Sequence, residues 1–222
     1  MNGGEVRRFP TDFVWQHGLL IATFTVLTVT GFPLKWQWWG MIKVMGGYGV
    51  VKFVHQAAGL IMILQGIVHV AHAVTRQLET KQLGGLWPST RDVQDVLQDC
   101  KYLLGLSKEK AKYPRYSYIN KFDYWGAFWG IAIMGGTGIV LWFPRVFSDV
   151  VIHVSHIAHT DEAVLAAGAI FIWHIYHVHT RYGRFRLNRV WLTGRIRVED
   201  LKIEHPEEYE QLAARGEIPP AP

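Results

Sequence analysis

Cysteine and charge are both scarce in this sequence of 222 residues. Cys100 is the single cysteine, so no internal disulfide bond can form, and the lack of a C-x-x-C-H motif excludes covalent attachment of a c-type haem. Charged residues make up 18% of the chain and hydrophobic residues 50%, which is too apolar for a disordered chain and too weakly charged for an ordinary soluble surface. No glycine-rich phosphate loop, nucleotide fingerprint or Ser/His/Asp nucleophile pattern is present.

The apolar residues lie in four separate stretches, each about as long as the roughly 20 residues that cross a bilayer as a helix. Few charges occur within them, and tryptophans gather near the ends of the first and third stretches, as in the aromatic belts of membrane proteins. The first is predicted to end where Gly31 and Pro33 interrupt a helix. The sequence therefore predicts four membrane spans, at about residues 14–33, 50–74, 124–143 and 162–180.

A long polar connection, residues 76–121, separates the second span from the third. The residues from Trp87 to Asp92 favour a turn and then an N-cap, so we expect an amphipathic helix through about Leu106. The predicted fold class is all-α, an integral membrane four-helix bundle with a cytoplasmic amphipathic loop helix. Residues 1–200 would form the four-span domain, and residues 201–222 an acidic, proline-rich tail that we expect to be loosely held.

Positive charge is distributed unevenly among the connections. The two short connections together hold only Lys35, Lys43, Lys52 and Arg145. The other lysines and arginines lie in the termini and the long connection, including Arg181, Arg184 and Arg186. The positive-inside rule then predicts a multi-pass protein of a bacterial cytoplasmic (inner) membrane with both termini in the cytoplasm. The net charge of +5 follows from this distribution and requires no nucleic acid partner.

Most of the eleven histidines lie inside or beside the predicted spans, and seven of them are candidates for a functional site. They are His17, His55, His69, His72, His159, His174 and His177. A titratable side chain in lipid has no water to hydrogen-bond, so an intramembrane histidine indicates a functional site. The alternative is a structural role, in which each imidazole hydrogen-bonds a backbone carbonyl between packed helices. His153 and His156 are expected in the outer connection.

The spacing of the histidines predicts two levels of ligands. His55 and His69 are 14 residues apart, roughly 21 Å along a helix and about 40° out of line. His159 and His174 are 15 residues apart, roughly 22 Å and about 60°. Such a helix presents one imidazole near each membrane face, as two stacked haems bound between helices require. Two imidazoles fill both axial positions of a haem iron, which gives an electron carrier with no open site for oxygen.

Chain topology sorts the candidate ligands by membrane face. The outer pair is His55 with His159. The inner set has three members, of which two would bind the haem: His17, His69 and His174. The spacing leaves the choice among these three open. His72 and His177 each follow a candidate ligand by three residues, and we expect them beside the ligands or facing a quinone.

Motifs that carry a family resemblance cover nearly the whole chain to about residue 200. They are WQH at 15–17 with TGFP at 30–33, FVHQAAG at 53–59, YINKFDYW at 118–125 leading to LWFP at 141–144, and HTDEAVLA at 159–166 with HIY at 174–176. Together they resemble the four-helix di-haem cytochrome b membrane subunits of formate dehydrogenase (the gamma subunit) and nickel-iron hydrogenase. The resemblance is closer to the related cytochromes b that accompany multihaem c-type cytochromes.

The resemblance implies two non-covalent haems b and a particular pairing. His17 with His174 would hold the inner haem iron, and His55 with His159 the outer one. His69 departs from the formate dehydrogenase pattern and competes with His17 for the inner haem. His72 and His177 are further departures from that pattern.

The predicted function is transmembrane electron transfer between the quinone or menaquinone pool and a partner redox subunit. The resemblance implies a periplasmic multihaem cytochrome c or an iron-sulfur subunit as that partner, and membrane lipid surrounds the chain. Because no site for a substrate other than quinone is evident, we expect an electron-transfer subunit of a quinone-linked oxidoreductase rather than a stand-alone enzyme.

Two other functions compete with electron transfer. Three histidine motifs suit a non-haem di-iron membrane hydroxylase or desaturase: His69-x-x-His72, His153-x-x-His156-x-x-His159 and His174-x-x-His177. That chemistry needs its histidines clustered on one membrane face with open iron positions, whereas these divide between two faces. The other competitor is a non-redox membrane anchor with structural histidines, or a metal-ion transporter.

Overall fold

The structure, a computed structural model, describes residues 4–80, 85–180 and 187–218. Arg181, Arg184 and Arg186, which the charge distribution assigns to the cytoplasmic side, lie outside the described residues. Within the described residues the fold is helical apart from one two-stranded sheet, and four helices are long and apolar enough to cross a membrane. The predicted all-α, four-helix integral membrane fold is confirmed.

The spanning helices are separated along the chain by shorter elements. In chain order the elements are β1 (Glu5–Arg7), α1 (Thr11–Trp36), α2 (Trp39–Val44), α3 (Tyr48–Thr80), α4 (Thr90–Leu103), α5 (Tyr118–Trp142), α6 (Asp149–Gly168), α7 (Val190–Thr193), β2 (Arg195–Arg197), α8 (Val198–Glu204) and α9 (Pro206–Ala214). Helix α6 continues as π-helix through Ala169–His174 and Tyr176–Thr180. The spanning helices are α1, α3, α5 and α6 with its continuation.

The first span ends later than predicted. Pro33 does not end α1 but lies buried inside it, and the helix continues to Trp36. A proline in a helix removes one backbone hydrogen bond, and here only the last few residues of α1 follow it. The chain reverses at Gln37, which has a positive φ of 53°.

The fourth span begins earlier than predicted. Helix α6 starts at Asp149 rather than near residue 162, so His153 and His156 lie on its first turns and not in the outer connection. The prediction was wrong because three histidines and the acidic pair Asp161 and Glu162 lower the hydropathy of this stretch. Polar residues lower the mean hydropathy of a span so that it is not recognised as apolar, but they do not prevent the helix from forming.

The chain forms two compact units, and the first, the bundle unit, is Trp15–His72 with Gly126–Asn188. Consecutive spans touch in this unit where a glycine replaces a larger side chain. A Cβ atom at Gly66 of α3 would lie 3.3 Å from Ile131 of α5, and one at Gly130 would lie 3.3 Å from the carboxylate of Glu162 on α6.

The second, the terminal unit, comprises Met1–Val14, Ala73–Trp125 and Arg189–Pro222. Strands β1 and β2 pair antiparallel, with Val6 opposite Ile196. Ile196 also belongs to a core made with α8, α9 and the residues that follow: Leu201, Tyr209 and Ile218. The described part of the tail is therefore packed, not loosely held.

The amphipathic loop helix is confirmed as α4. It begins after Ser89, whose backbone N–H donates to the carboxylate of Asp92 across 2.6 Å, as in a capping box. The helix ends at Leu103, and Gly105, with a φ of 73°, lies in the turn that follows.

Candidate functional site

The outer histidines predicted as a pair lie together in the bundle unit. His55 of α3 and His159 of α6 are half-buried, their ring centroids are 6.3 Å apart, and the ring planes are inclined by 73°. Imidazoles on opposite sides of one metal ion, with metal–nitrogen distances of about 2 Å, have ring centres about 6 Å apart. The spacing of His55 and His159 therefore suits a shared iron.

The same spacing also occurs in ordinary edge-to-face ring contacts, so the tautomers of the two imidazoles carry more information. The Nδ1 atom of His55 lies 2.9 Å from the hydroxyl oxygen of Thr30, and Nδ1 of His159 lies 3.0 Å from that of Thr137. Each hydroxyl donates its own hydrogen to the carbonyl four residues earlier, Val26 for Thr30 and Ile133 for Thr137.

Donation to those carbonyls leaves the threonine oxygens as acceptors toward the rings, and in this arrangement each imidazole donates its Nδ1–H. The lone pair of each neutral ring is then on Nε2, which is the tautomer that binds metal in histidine sites whose other nitrogen is hydrogen-bonded. In that tautomer, Nε2 of His55 and of His159 is the ring nitrogen available to a metal ion.

A glycine follows each of these threonines and makes room for the ring. A Cβ atom at Gly31 would lie 3.0 Å from Cε1 of His55, and one at Gly138 would lie 3.3 Å from Cε1 of His159. The two halves of the outer site therefore repeat one arrangement, in which a Thr-Gly dipeptide on one span orients a histidine on the next.

The inner level is also occupied by a histidine pair. His17 of α1 and His174 have ring centroids 6.4 Å apart and ring planes inclined by 50°. His174 ends the first π-helical stretch. A π-turn takes more residues than an α-turn, so the offset from His159 expected for an ideal α-helix does not apply to His174.

His69, the predicted competitor, contacts a different residue. Its Nδ1 lies 2.8 Å from the Oε1 atom of Gln16, and the Nε2 atom of Gln16 lies 3.0 Å from Nδ1 of His72. Gln65 donates to the backbone carbonyl of Gln16 across 2.5 Å. Gln16 thereby links α3 to α1 at the residue directly before His17.

His177 and the ion pair between Lys35 and Asp161 have contacts of their own. The Nδ1 atom of His177 is 3.0 Å from the carbonyl of Trp173 on its own helix. Lys35 forms an ion pair of 3.2 Å with the exposed carboxylate of Asp161. Among the described residues, no three or more His, Cys, Asp or Glu side chains form a group that could hold a metal ion.

The residues that support these side chains were not predicted from the sequence. Gln16, which contacts both His69 and His72, and the second threonine, Thr137, were not singled out as functional. A detectable signal was the dipeptide Thr-Gly, which occurs at 30–31 in the first span and again at 137–138 in the third.

Comparison with known proteins adds no family assignment. No protein-family model matches the sequence, and no curated protein matches it. Support for a function of this chain therefore comes from the geometry of its histidines and from the sequence motifs quoted above.

Proposed function

We propose that this chain is a di-haem cytochrome b that transfers electrons across a membrane. The observation that carries the proposal is the pairing of histidines from different spans at two levels, His55 with His159 and His17 with His174, with ring centres 6.3 and 6.4 Å apart. Four titratable rings inside apolar helices are costly in lipid, and axial ligation of two haem irons accounts for all four.

The residues of the outer site fit a haem iron on independent grounds. Thr30 and Thr137 hold His55 and His159 in the Nε2-ligating tautomer, and Gly31 and Gly138 leave space for the rings. At the inner site the fit consists of the matching ring separation. His69 and His72 take the supporting role there, since both hydrogen-bond the Gln16 amide beside His17.

A haem b with two imidazole ligands supplies reversible one-electron transfer without an open site for oxygen. The chain's part is to supply the four ligands, fix their tautomers and surround them with apolar helices that exclude water. A non-haem di-iron centre is less well supported, because its irons would need several ligands gathered on one face, and these histidines occur in pairs at two levels.

We further propose that the electrons pass between membrane quinone or menaquinone and a periplasmic redox subunit, a multihaem cytochrome c or an iron-sulfur protein. The motif resemblance and the one-sided positive charge support this arrangement, with both termini in the cytoplasm of a bacterium. The chain would then be one subunit of a quinone-linked oxidoreductase.

A visible spectrum of the purified protein, oxidised and then reduced with dithionite, tests the proposal. We expect the sharp α-band of low-spin haem b and two haems per chain. A colourless protein from haem-replete cells, or bound iron without a haem spectrum, would overturn it.

Separate alanine substitutions then test the pairing. His55→Ala and His174→Ala should each remove one haem, whereas His69→Ala should leave both. His153→Ala is the matched control, because His153 is exposed on α6 and belongs to neither of the proposed haem pairs. Loss of a haem in His69→Ala with both haems kept in His17→Ala would reverse the inner assignment.

A further inference from the structure

Helix α4 carries its apolar side chains on the outside of the protein. Val93, Leu97 and Leu104, the last directly after the helix, follow one another at helical spacing and are 62%, 55% and 74% exposed. A surface helix of a globular protein has the reverse arrangement, with its apolar stripe toward the core.

The opposite face of α4 carries three aspartates, and two of them, Asp92 and Asp99, contact residues outside the helix. Asp92 forms an ion pair of 2.7 Å with Lys121, and Asp95, 9% exposed, lies 3.8 Å from Arg91. Asp99 accepts hydrogen bonds from the hydroxyls of Tyr113 and, across 3.0 Å, of Tyr118. The helix is therefore held through its polar side, and its apolar side faces outward.

The same contacts hold α4 at the end of a membrane span. Lys121, the partner of Asp92, lies in the first turn of α5. One turn further along, the indole N–H of Trp125 donates to the carbonyl of Leu86 across 2.9 Å. The ring centroids of Trp87 and Trp125 are 4.9 Å apart. Since α5 is long and apolar enough to cross a membrane and begins at Tyr118, these contacts hold the residues from Leu86 to Asp92 against the first two turns of a candidate span.

The charges on the outward side of this segment are mainly positive. The inward aspartates are engaged as described, and the exposed residues on and after the helix include Lys101, Lys108 and Lys110 against the one acidic residue Glu109. Apolar side chains flanked by lysines are typical of helices that lie in the interface of anionic membranes, where each lysine adds attraction to acidic headgroups.

We propose that the apolar face formed by Val93, Leu97, Cys100 and Leu104 is inserted into the headgroup region of the leaflet around the span α5, with Lys101 on acidic phospholipids. This inference does not depend on the haem proposal. It assigns α4 the role of a lipid-binding surface that anchors the loop between the second and third spans.

The single cysteine provides the test, because Cys100 is exposed in the middle of this face. The full chain, labelled at Cys100 with a small fluorophore, is placed in lipid nanodiscs with and without phosphatidylglycerol. A nitroxide near the top of the lipid acyl chains and aqueous iodide serve as the two quenchers. We expect fluorescence loss with the lipid nitroxide, protection from iodide, and a larger difference with phosphatidylglycerol.

Each other outcome contradicts the proposal. Quenching by iodide alone means that the face is in water, and protection from both quenchers means that a protein covers it. The double variant Leu97→Gln, Leu104→Gln should lose the lipid quenching. Ile203→Gln is the control, since Ile203 is an exposed apolar residue on α8 of the same unit, and it should leave the quenching unchanged.

Discussion

At the residue scale, the two threonine hydroxyls determine which nitrogen of each neighbouring imidazole carries hydrogen. Thr30 and Thr137 lie within hydrogen-bond distance of backbone carbonyls of their own helices, and donation there leaves their oxygens to accept from His55 and His159. A threonine hydroxyl that donates to a carbonyl of its own helix, as helical threonines commonly do, thereby determines the tautomer of an imidazole on the adjacent helix.

Replacing Thr137 by valine tests this dependence with almost no change of shape. His159 would lose the acceptor for its Nδ1–H, and we expect the outer site to bind haem about 10- to 100-fold more weakly, the usual cost of removing such a partner. Haem content after titration against apomyoglobin measures the change. Thr25→Val is the control, because Thr25 bonds the Ile21 carbonyl in the same way but orients no histidine; equal haem loss in both variants contradicts the tautomer argument.

Gly31→Ala tests the space that His55 requires. Alanine in an α-helix is normally favoured over glycine by about 1 kcal/mol, so a neutral site would become more stable. Here the new Cβ would lie 3.0 Å from the His55 ring, and we expect the ring to move and the outer haem to be lost first on mild denaturation. Gly18→Ala, beside His17 with no atom within 4 Å of the added carbon, should leave both haems in place.

At the element scale, α4 depends on Asp92, which both caps the helix and pairs with Lys121. Burial by itself raises the pKa of Asp92, but hydrogen bonds from Lys121 and Ser89 outweigh it and hold the pKa below its ordinary value. A depressed folded-state pKa adds stability at pH values above the unfolded pKa, and that stability is lost as the pH falls through the folded-state pKa.

We therefore expect the amide protection of α4 to persist through mildly acidic pH and to fall only below the ordinary carboxyl range. Hydrogen exchange of the 90–103 segment over a pH series gives the measurement. Asp92→Asn should reduce protection by about 1 kcal/mol at neutral pH, as loss of a cap does, and should remove this acid transition. An unchanged transition in Asp92→Asn would assign it to another group.

The four spans and the loop helix α4 could be predicted from the sequence, because apolar runs and the Ser89 cap are local signals. The start of α6 was not, since His153, His156 and Glu162 make its first half polar. Helix spacing and topology predicted the outer pair, His55 with His159, but left the inner pair open, and the family resemblance implied His17 with His174. The structure places the rings of both pairs near each other, while His69 contacts Gln16, and the π-helical turns before His174 follow no spacing rule.

At the scale of the whole molecule, a buried charged cluster joins segments that are far apart in the chain. Glu208 of α9 pairs with Arg8 across 2.9 Å and with Arg115 across 2.5 Å. Each arginine also donates to the backbone carbonyl of the other. Burial lowers the pKa of Arg8, and the charge of Glu208 counteracts this effect. Such contacts have no local sequence signal, which is why the packing of the tail could not be predicted.

Glu208→Gln keeps the shape of this cluster and removes the negative charge that pairs with both arginines. Arg8 would remain buried beside Arg115 without its ion-pair partner, and removing one partner of a buried pair costs about 3–5 kcal/mol. Because Arg115 is partly exposed, we expect a cost of about 3 kcal/mol. Helices α8 and α9 should then separate more readily from strand β1. Limited trypsin digestion should then cut at Lys202 and Arg215 far faster than in the parent protein. Glu210→Gln is the control, because it alters an exposed charge on the same helix and should leave the rate of cleavage unchanged. Equal rates of cleavage in the two variants would show that the charged cluster does not hold the tail.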